Sequence, residues 1–256
     1  MKKRYAVITD IHGNIDALNE IIKDIKEKNV DDIFCLGDII NIGPNSKECI
    51  NKLIECNVKS ILGNHELYLL RGTDIEPSIV GEEKEHYNWV KKSLTEKEIN
   101  YIKELPLLYE INIDYDGKIG NKKIVLCHYL ISDKKAEQPF EKSNLRKDIG
   151  LWIKYNDPNT IYIVGHLHKS FNPNEVEGIQ DDYIEKIGDL PNIEIVDSAG
   201  CSYNEYVSYL LIEIDKGIKL KRIRVKFDIE EFIKKVINTE FPDKKNILKW
   251  FYGIEL

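Results

Sequence analysis

The sequence lacks several features that would place the protein in a membrane or on a nucleic acid. No apolar run approaches the roughly 20 residues of a membrane span. The basic residues 1–4 lead into a short apolar run that Asp10 and His12 interrupt, which excludes a secretory signal peptide. The formal net charge of -7 disfavours binding to duplex nucleic acid. We therefore predict a cytoplasmic protein that uses neither a membrane nor a duplex as its partner.

Cysteine pairs and linkers are also missing. The five cysteines are scattered and odd in number, and none forms a C-x-x-C pair, which excludes a disulfide framework or a zinc finger and indicates reduced thiols. The chain has no internal repeat, no low-complexity tract and no Gly/Ser linker. These absences predict one domain over residues 1–256, a length that is ample for a sizeable core.

The first quarter of the chain alternates between strand-like and helix-like patterns. Apolar runs near residues 6–9, 32–36 and 58–62 alternate with amphipathic segments near 14–29 and 49–54. A β-α-β-α-β order predicts a parallel sheet with right-handed crossovers.

From about residue 72 to residue 106 the pattern is helical, so we predict a helical insertion there, near the functional site. Thr95-x-x-Glu98 is a capping box that opens one of its helices. Asp116-Gly117 is typical of a turn between two strands. Later patterns predict strands at 108–113, 123–127, 161–164, 193–196, 209–214 and 219–227, helices at 229–237, 245–251 and around Trp152, and a polar surface excursion at 170–190.

Five of the strand-like runs end in Asp, Asn or His. Ligands of open α/β sheets bind beyond the carboxyl ends of the strands, so these ends should converge. Only His86 of the six histidines lies elsewhere, and we expect it on the surface of the helical segment. The convergent set is Asp10, His12, Asp38, Asn64, His65, His128, His166 and His168.

Imidazoles, carboxylates and an amide, without a thiolate, suit first-row divalent ions with open coordination positions, such as Mn, Fe, Zn or Ni. Eight groups exceed what one ion needs, which predicts two ions, about 3.5–4 Å apart in sites of this kind. The glycines before Asp38, Asn64 and His166 suit sharp backbone turns. Each motif alone has an ordinary alternative: Asp38 could cap a turn, and His12 could be a simple polar residue. The joint pattern favours the metal site.

The same motifs resemble, in order and spread, the calcineurin-like metallophosphoesterase superfamily, and the stretch around Asp10 and Gly37 resembles its small prokaryotic phosphodiesterase-like branch. The resemblance implies an α/β fold of four layers, an αββα sandwich of two mixed β-sheets flanked by helices. It also implies that Asp38 bridges two ions and that His65 is catalytic. It would give Asp10, His12 and His168 to the first ion, and Asn64, His128 and His166 to the second. The motifs are Asp10-x-His12-Gly13, Gly37-Asp38, Gly63-Asn64-His65-Glu66, His128 and Gly165-His166-x-His168.

The hypothesis that follows is a dinuclear phosphoesterase with Mn or Fe favoured. A hydroxide shared by the two ions would attack phosphorus directly, and His65 would protonate or stabilise the leaving oxygen. The substrate would be a small phosphorylated molecule, and we favour a diester over a monoester; nucleotide-derived molecules are among the candidates. Asn14 and Arg71 are candidate substrate contacts.

Two alternatives stay open at this point. The first is a phosphomonoesterase or Ser/Thr phosphoprotein phosphatase. Phosphoprotein phosphatases and symmetrical dinucleoside tetraphosphatases share the form Gly63-Asn64-His65-Glu66, but such enzymes normally carry Arg-Gly just after the Gly-Asp motif. Here that place reads Asn41-Ile42-Gly43. A binding scaffold that has lost catalysis would be expected to lack His65 or a ligand, and this chain keeps them all. The turn at residues 197–200 receives no assignment.

Overall fold

A computed structural model describes residues 2–115, 118–129, 159–168, 193–215 and 217–255. The described strands are β1 (Lys3–Ile8), β2 (Asp32–Cys35), β3 (Lys59–Ser60), β4 (Leu108–Tyr115), β5 (Lys118–Cys127), β6 (Thr160–Val164), β7 (Ile193–Ile195), β8 (Tyr206–Ile214) and β9 (Ile218–Lys226). The described α-helices are α1 (Ile15–Glu27), α2 (Ser46–Glu55), α3 (Asn64–Arg71), α4 (Gly81–Ser93), α5 (Glu96–Glu104), α6 (Ile229–Asn238) and α7 (Lys244–Tyr252).

The strands form two mixed sheets, as expected. The first has the order β3-β2-β1-β8-β9, with β1, β2 and β3 parallel and the last two strands antiparallel to their neighbours. The second has the order β4-β5-β6-β7, in which only the β4–β5 pair is antiparallel. Strand β3 is shorter than predicted, because the N–H of Leu62 turns away from β2 and donates to the carbonyl of Pro106 at 2.8 Å.

Alternation along the strands sorts the core into layers. In β1, Ala6 and Ile8 pack with the helices, whereas Val7 joins an apolar cluster that also contains residues of the second sheet. Because successive side chains of a strand point to opposite faces, the two sheets face each other across this cluster. It contains Val7, Phe34, Leu36, Ile61, Ile113, Ile124, Leu126, Ile163, Val196, Leu210, Ile212 and Ile214. The fold is thus two mixed sheets flanked by helices.

Local signals explain the helix starts. The side chain of Asn14 caps α1 by accepting the N–H of Ala17 at 3.0 Å, which satisfies an otherwise free donor of the first turn. The predicted capping box at Thr95 and Glu98 is present at the start of α5. The predicted turn at Asp116-Gly117, the helix around Trp152 and the excursion at 170–190 lie outside the described residues.

The prediction that His86 lies on the surface is wrong. Its side chain is buried in α4, where it stacks on Trp89 with ring centroids 5.7 Å apart and lies 5.2 Å from the ring of Phe241. His86, Tyr87 and Val90 form the inward face of this helix. Burial lowers the pKa of His86 to about 4, and a contact with the backbone of Pro242 offsets this in part.

All five cysteines are free thiols. Among the described helices, none has the length and apolar character to cross a bilayer.

Candidate metal centre

The structure brings the eight predicted side chains together beyond the carboxyl ends of the parallel strands. Asp10 follows β1, Asp38 follows β2, and His128 follows β5. His166 and His168 follow β6, while Asn64 and His65 begin α3 just after β3. Donor atoms from these different strand ends lie within 4.8 Å of one another in several groups of three.

Much of this site has a backbone conformation that residues other than glycine rarely adopt. Non-glycine residues in the left-handed region cost of order 1–3 kcal/mol each and cluster at functional sites, where the surrounding structure holds them in place. Five residues of the site have positive φ angles between 44° and 66°: Asp10, His12, Asp38, His166 and His168.

Of the three glycines that precede site residues, only Gly37 has the positive φ expected of a sharp turn, at +94°. Gly63 and Gly165 are needed instead for close approach. A Cβ at Gly63 would lie 2.2 Å from Oδ1 of Asp38, and one at Gly165 would lie 2.0 Å from Oγ1 of Thr9. Neighbouring strand ends therefore pack against each other at distances that only glycine allows.

Glu66 fastens two of the strand ends together, a role that the sequence analysis missed. Its buried carboxylate accepts the backbone N–H groups of Asp38, Ile39, Ile40 and Gly63 at 2.8–3.2 Å. The signal was available, because Glu66 is the last residue of the Gly63-Asn64-His65-Glu66 motif.

A first group of donors consists of Asp10, His12 and His168. Nε2 of His168 lies 2.9 Å from Nε2 of His12 and 3.1 Å from Oδ1 of Asp10. The other carboxylate oxygen, Oδ2, accepts the hydroxyl of Thr9 at 2.6 Å and the N–H of His166 at 2.9 Å. Asp10 therefore keeps Oδ1 directed at the two imidazoles.

A second group consists of Asn64, His128 and His166. Nε2 of His128 lies 3.0 Å from Oδ1 of Asn64 and 3.2 Å from Oδ2 of Asp38. Nδ1 of His128 lies 2.8 Å from the carbonyl of Leu36. A carbonyl on one ring nitrogen fixes the proton there, which leaves the other nitrogen to act as a ligand. His166 offers a ring nitrogen that lies within 4.8 Å of a carboxylate oxygen of Asp38 and of a ring nitrogen of His128.

Asp38 lies between the two groups and presents a single oxygen to both. Its Oδ2 is 3.9 Å from Nε2 of His12 and 3.2 Å from Nε2 of His128. Its Oδ1 accepts the backbone N–H of His65 at 2.9 Å. The carboxylate is therefore oriented by the start of α3.

His65 adjoins this carboxylate, with Nε2 at 3.8 Å from Oδ2 of Asp38. Its Nδ1 lies 2.7 Å from the hydroxyl of Tyr87 and 2.9 Å from Nδ2 of Asn41, and the Tyr87 ring stacks on the imidazole at 5.6 Å. Sequence analysis missed both partners. Asn41 stands next to the expected Arg-Gly position, but nothing in the sequence connects Tyr87 with a motif 22 residues away.

The electrostatics favour cations. Burial would raise the pKa of Asp38 and Asp10, but neighbouring histidines, chiefly His128 and His168 respectively, hold both below the usual range. Burial lowers the pKa of His166 to about 4 and that of His65 to about 3. Despite burial, Asp38 raises the pKa of His128 to about 9, and Asp10 raises that of His168. The two ionised, buried carboxylates therefore attract positive charge, which suits divalent cations.

The two candidate substrate contacts lie in different environments. Asn14 is fully buried, with its amide used by the α1 cap and by a bond from Nδ2 to the carbonyl of Gly200 at 2.8 Å. Its amide therefore has a structural role, and the substrate contact stays a prediction. Arg71 is exposed at the end of α3. Its positive charge partly offsets the rise in the pKa of the Tyr129 hydroxyl that burial causes. The Tyr129 ring lies 5.0 Å from that of His166.

One sulfur atom lies close to the predicted donors. Cys201 offers its Sγ within 4.8 Å of ring nitrogens of His12 and His168. It follows the turn at 197–200, which lies far from the histidine motifs in the sequence and therefore escaped notice.

A family model described as calcineurin-like phosphoesterase matches residues 3–196. The chain belongs to this family. Calcineurin-like phosphoesterases depend on metal ions, and the Asp and His groups of the described residues provide donors that fit divalent cations.

Relatives agree with the assignment. An uncharacterized protein of Methanocaldococcus jannaschii is 28% identical over 259 residues, covering 95% of this phosphoesterase and 96% of the relative. A symmetrical bis(5'-nucleosyl)-tetraphosphatase of Actinobacillus pleuropneumoniae is 37% identical over 67 residues. That match spans only 25% of each chain.

Solved structures show the same fold. A metallophosphoesterase from Sphaerobacter thermophilus has a TM-score of 0.64 at 20% identity and covers 98% of this chain and 100% of its own. A hypothetical protein from Pyrococcus horikoshii has a TM-score of 0.65 at 16% identity, with 99% of each chain covered.

Proposed function

We propose that this phosphoesterase hydrolyses a phosphodiester of a small, nucleotide-derived molecule with the help of two divalent cations. One observation is the main support for this proposal. A single oxygen, Oδ2 of Asp38, faces His12 at 3.9 Å and His128 at 3.2 Å, between two groups of donors. A carboxylate shared in this way is what two neighbouring cations require.

We assign the residues to the two cations as the family resemblance implies. Asp38 would contact both, and the identity of the ions would be Mn, Fe, Zn or Ni, with Mn or Fe favoured by the mixture of imidazole and carboxylate. Asp10, His12 and His168 would hold the first cation, and Asn64, His128 and His166 would hold the second.

The cations would supply a hydroxide nucleophile at neutral pH and neutralise the phosphoryl oxygens. His65 would act on the leaving oxygen. The hydroxyl of Tyr87 and Nδ2 of Asn41 both lie within hydrogen-bonding distance of Nδ1, and donation from either would leave the ring proton on Nε2, next to Asp38. Because burial keeps the imidazole neutral at pH 7, His65 stabilises the leaving oxygen by donating a hydrogen bond from Nε2.

The choice of substrate rests on the relatives and on Arg71. The bis(5'-nucleosyl)-tetraphosphatase relative acts on a nucleotide, by its name. Arg71 is exposed at the end of α3, and its guanidinium would contact a phosphate of the substrate. Asn41 bonds His65 in a chain that lacks the Arg-Gly of protein phosphatases, which argues against a phosphoprotein substrate.

The test uses metal-free protein reloaded with Mn, Fe, Zn or Ni and assayed on bis-p-nitrophenyl phosphate, p-nitrophenyl phosphate and diadenosine tetraphosphate. We expect metal-dependent turnover of the diester, and its loss in D38N. D74N is the matched control, because Asp74 is an exposed aspartate paired with Lys84 away from the donors. Faster turnover of the monoester would favour the phosphomonoesterase alternative, and full activity of D38N would overturn the proposal.

A further inference from the structure

The turn at residues 197–200 supports the loop that carries Asp10 and His12. The N–H of Ala199 donates to the carbonyl of Thr9 at 2.8 Å, and the N–H of Gly200 donates to the carbonyl of Asp10 at 3.0 Å. A Cβ at Gly200 would lie 1.8 Å from the carbonyl oxygen of Ile11. The two loops are therefore in direct contact along their backbones.

This contact fixes the residue that follows the turn. The backbone N–H of Cys201 donates to Oγ of Ser198 at 2.8 Å, and the Cys201 side chain is fully buried. The thiol lies within hydrogen-bonding distance of the imidazole of His168 and of the hydroxyl of Tyr252. Its surroundings are thus polar on the side of the metal centre.

Sulfur and imidazole stand at a separation that suits one cation. Sγ of Cys201 and one ring nitrogen each of His12 and His168 lie within 4.8 Å of one another. Ligand atoms of a tetrahedral zinc site, with Zn–N near 2.1 Å and Zn–S near 2.3 Å, stand about 3.6 Å apart. Side-chain adjustments would bring the three atoms to that separation around one ion.

The other cysteines do not share this environment. Cys35, Cys49 and Cys127 are buried and Cys56 is partly buried. Among the described residues, Cys201 is the only cysteine that belongs to a group of donor atoms able to hold a metal ion.

We propose that Cys201 is a sulfur ligand of the first cation, together with His12 and His168. The inference rests on the metal centre of the proposed function and adds a ligand to it. On binding, the thiol loses its proton to solvent and the sulfur forms a bond to the cation. A soft thiolate favours Zn, Fe or Co over Mn at this position, so the two cation positions differ in metal preference.

The test is spectroscopic and does not depend on activity. Protein loaded with Co(II) should show a sulfur-to-cobalt charge-transfer band in the near ultraviolet. Zinc-loaded protein should show a sulfur neighbour at about 2.3 Å by X-ray absorption. Both signals should vanish in C201S and in C201A and persist in C56S, the matched cysteine control. Competition with metal buffers should show at least about a tenfold loss of zinc affinity in C201S, since even the loss of an outer partner costs roughly 10–100-fold.

The outcomes separate the two proposals. If the wild type binds two metals and turns over the diester without any sulfur signal, the role of Cys201 is refuted and the proposed function stands. A sulfur signal that survives in C201S refutes it as well. If no metal binds at all, both proposals fail.

Discussion

The hydroxyl of Tyr87, in α4, lies 2.7 Å from Nδ1 of His65, and the two rings are stacked within 13° of parallel. Tyr87 is buried, so this contact is protected from water. It brings the helical segment at 72–106 into the site. A tyrosine hydroxyl that donates to Nδ1 keeps the imidazole proton on Nε2, which is the nitrogen that faces Asp38 at 3.8 Å.

Replacing Tyr87 by Phe should lower kcat for diesters with poor leaving groups by roughly 2–10-fold, because one hydrogen bond is worth about 0.5–1.5 kcal/mol. Asn41 would still hold Nδ1, which limits the loss. Steady-state kinetics over a series of leaving groups measures it. Y68F is the control, because the rings of Tyr68 and His65 make only an edge-on contact, with their centroids 6.2 Å apart. A kcat for Y87F equal to wild type would remove the role of Tyr87.

Replacing His65 by Ala should lower kcat by about 10²–10⁴-fold, the usual contribution of a residue that acts on a transferring proton or leaving group. Metal content should stay at two ions per chain, because we assign His65 to neither cation. Kinetics and elemental analysis of the same sample measure both. Near-native turnover by H65A, or loss of an ion from it, would contradict the assignment.

Replacing Gly165 by Ala should weaken metal binding and stability together. The added Cβ would lie 2.0 Å from Oγ1 of Thr9 and 2.7 Å from Oδ2 of Asp10, so the Asp10 carboxylate must move. Overpacking of this kind costs about 1–3 kcal/mol. Gly72 is the matched control: its added Cβ meets nothing within 4 Å and carries only the strain of a positive φ. Thermal unfolding and Mn titration should separate the variants, and unchanged Mn affinity in G165A would contradict the expectation.

His86 should make stability depend on pH. Its pKa falls from an ordinary 6.5 to about 4 in the fold, mainly through burial. The unfolded chain therefore binds the extra proton first as pH falls from about 6.5 to 4, and stability declines over that window by about 3 kcal/mol. H86F keeps a ring against Trp89 and Phe241 and should lose less stability between pH 7 and pH 4.5 in urea unfolding. A stability difference between H86F and wild type that is the same at both pH values would disprove this.

The sequence predicted the parallel arrangement of β1, β2 and β3 and the convergence of eight site residues, because both follow from short-range pattern. Apolar runs that end in Asp or His mark strand ends, and parallel strands place those ends together. Their roles as ligands or catalyst, like the extent of the domain, stay predictions.

Features that depend on packing between distant segments could not be predicted from the sequence. Cys201 reaches the site through a backbone contact between two turns, and Tyr87 reaches it from a helix. We expected His86 on the surface because it lies in the helical segment, outside the strand-end motifs, but one face of α4 is turned inward and carries it. No local pattern separates a buried histidine from an exposed one.

The most direct measurement is anomalous diffraction from crystals of the metal-loaded protein. We predict two peaks about 3.5–4 Å apart, with Oδ2 of Asp38 between them, His12 and His168 around one peak, and Asn64 and His128 around the other. A single ion, or ions bound away from Asp38, would contradict the dinuclear site.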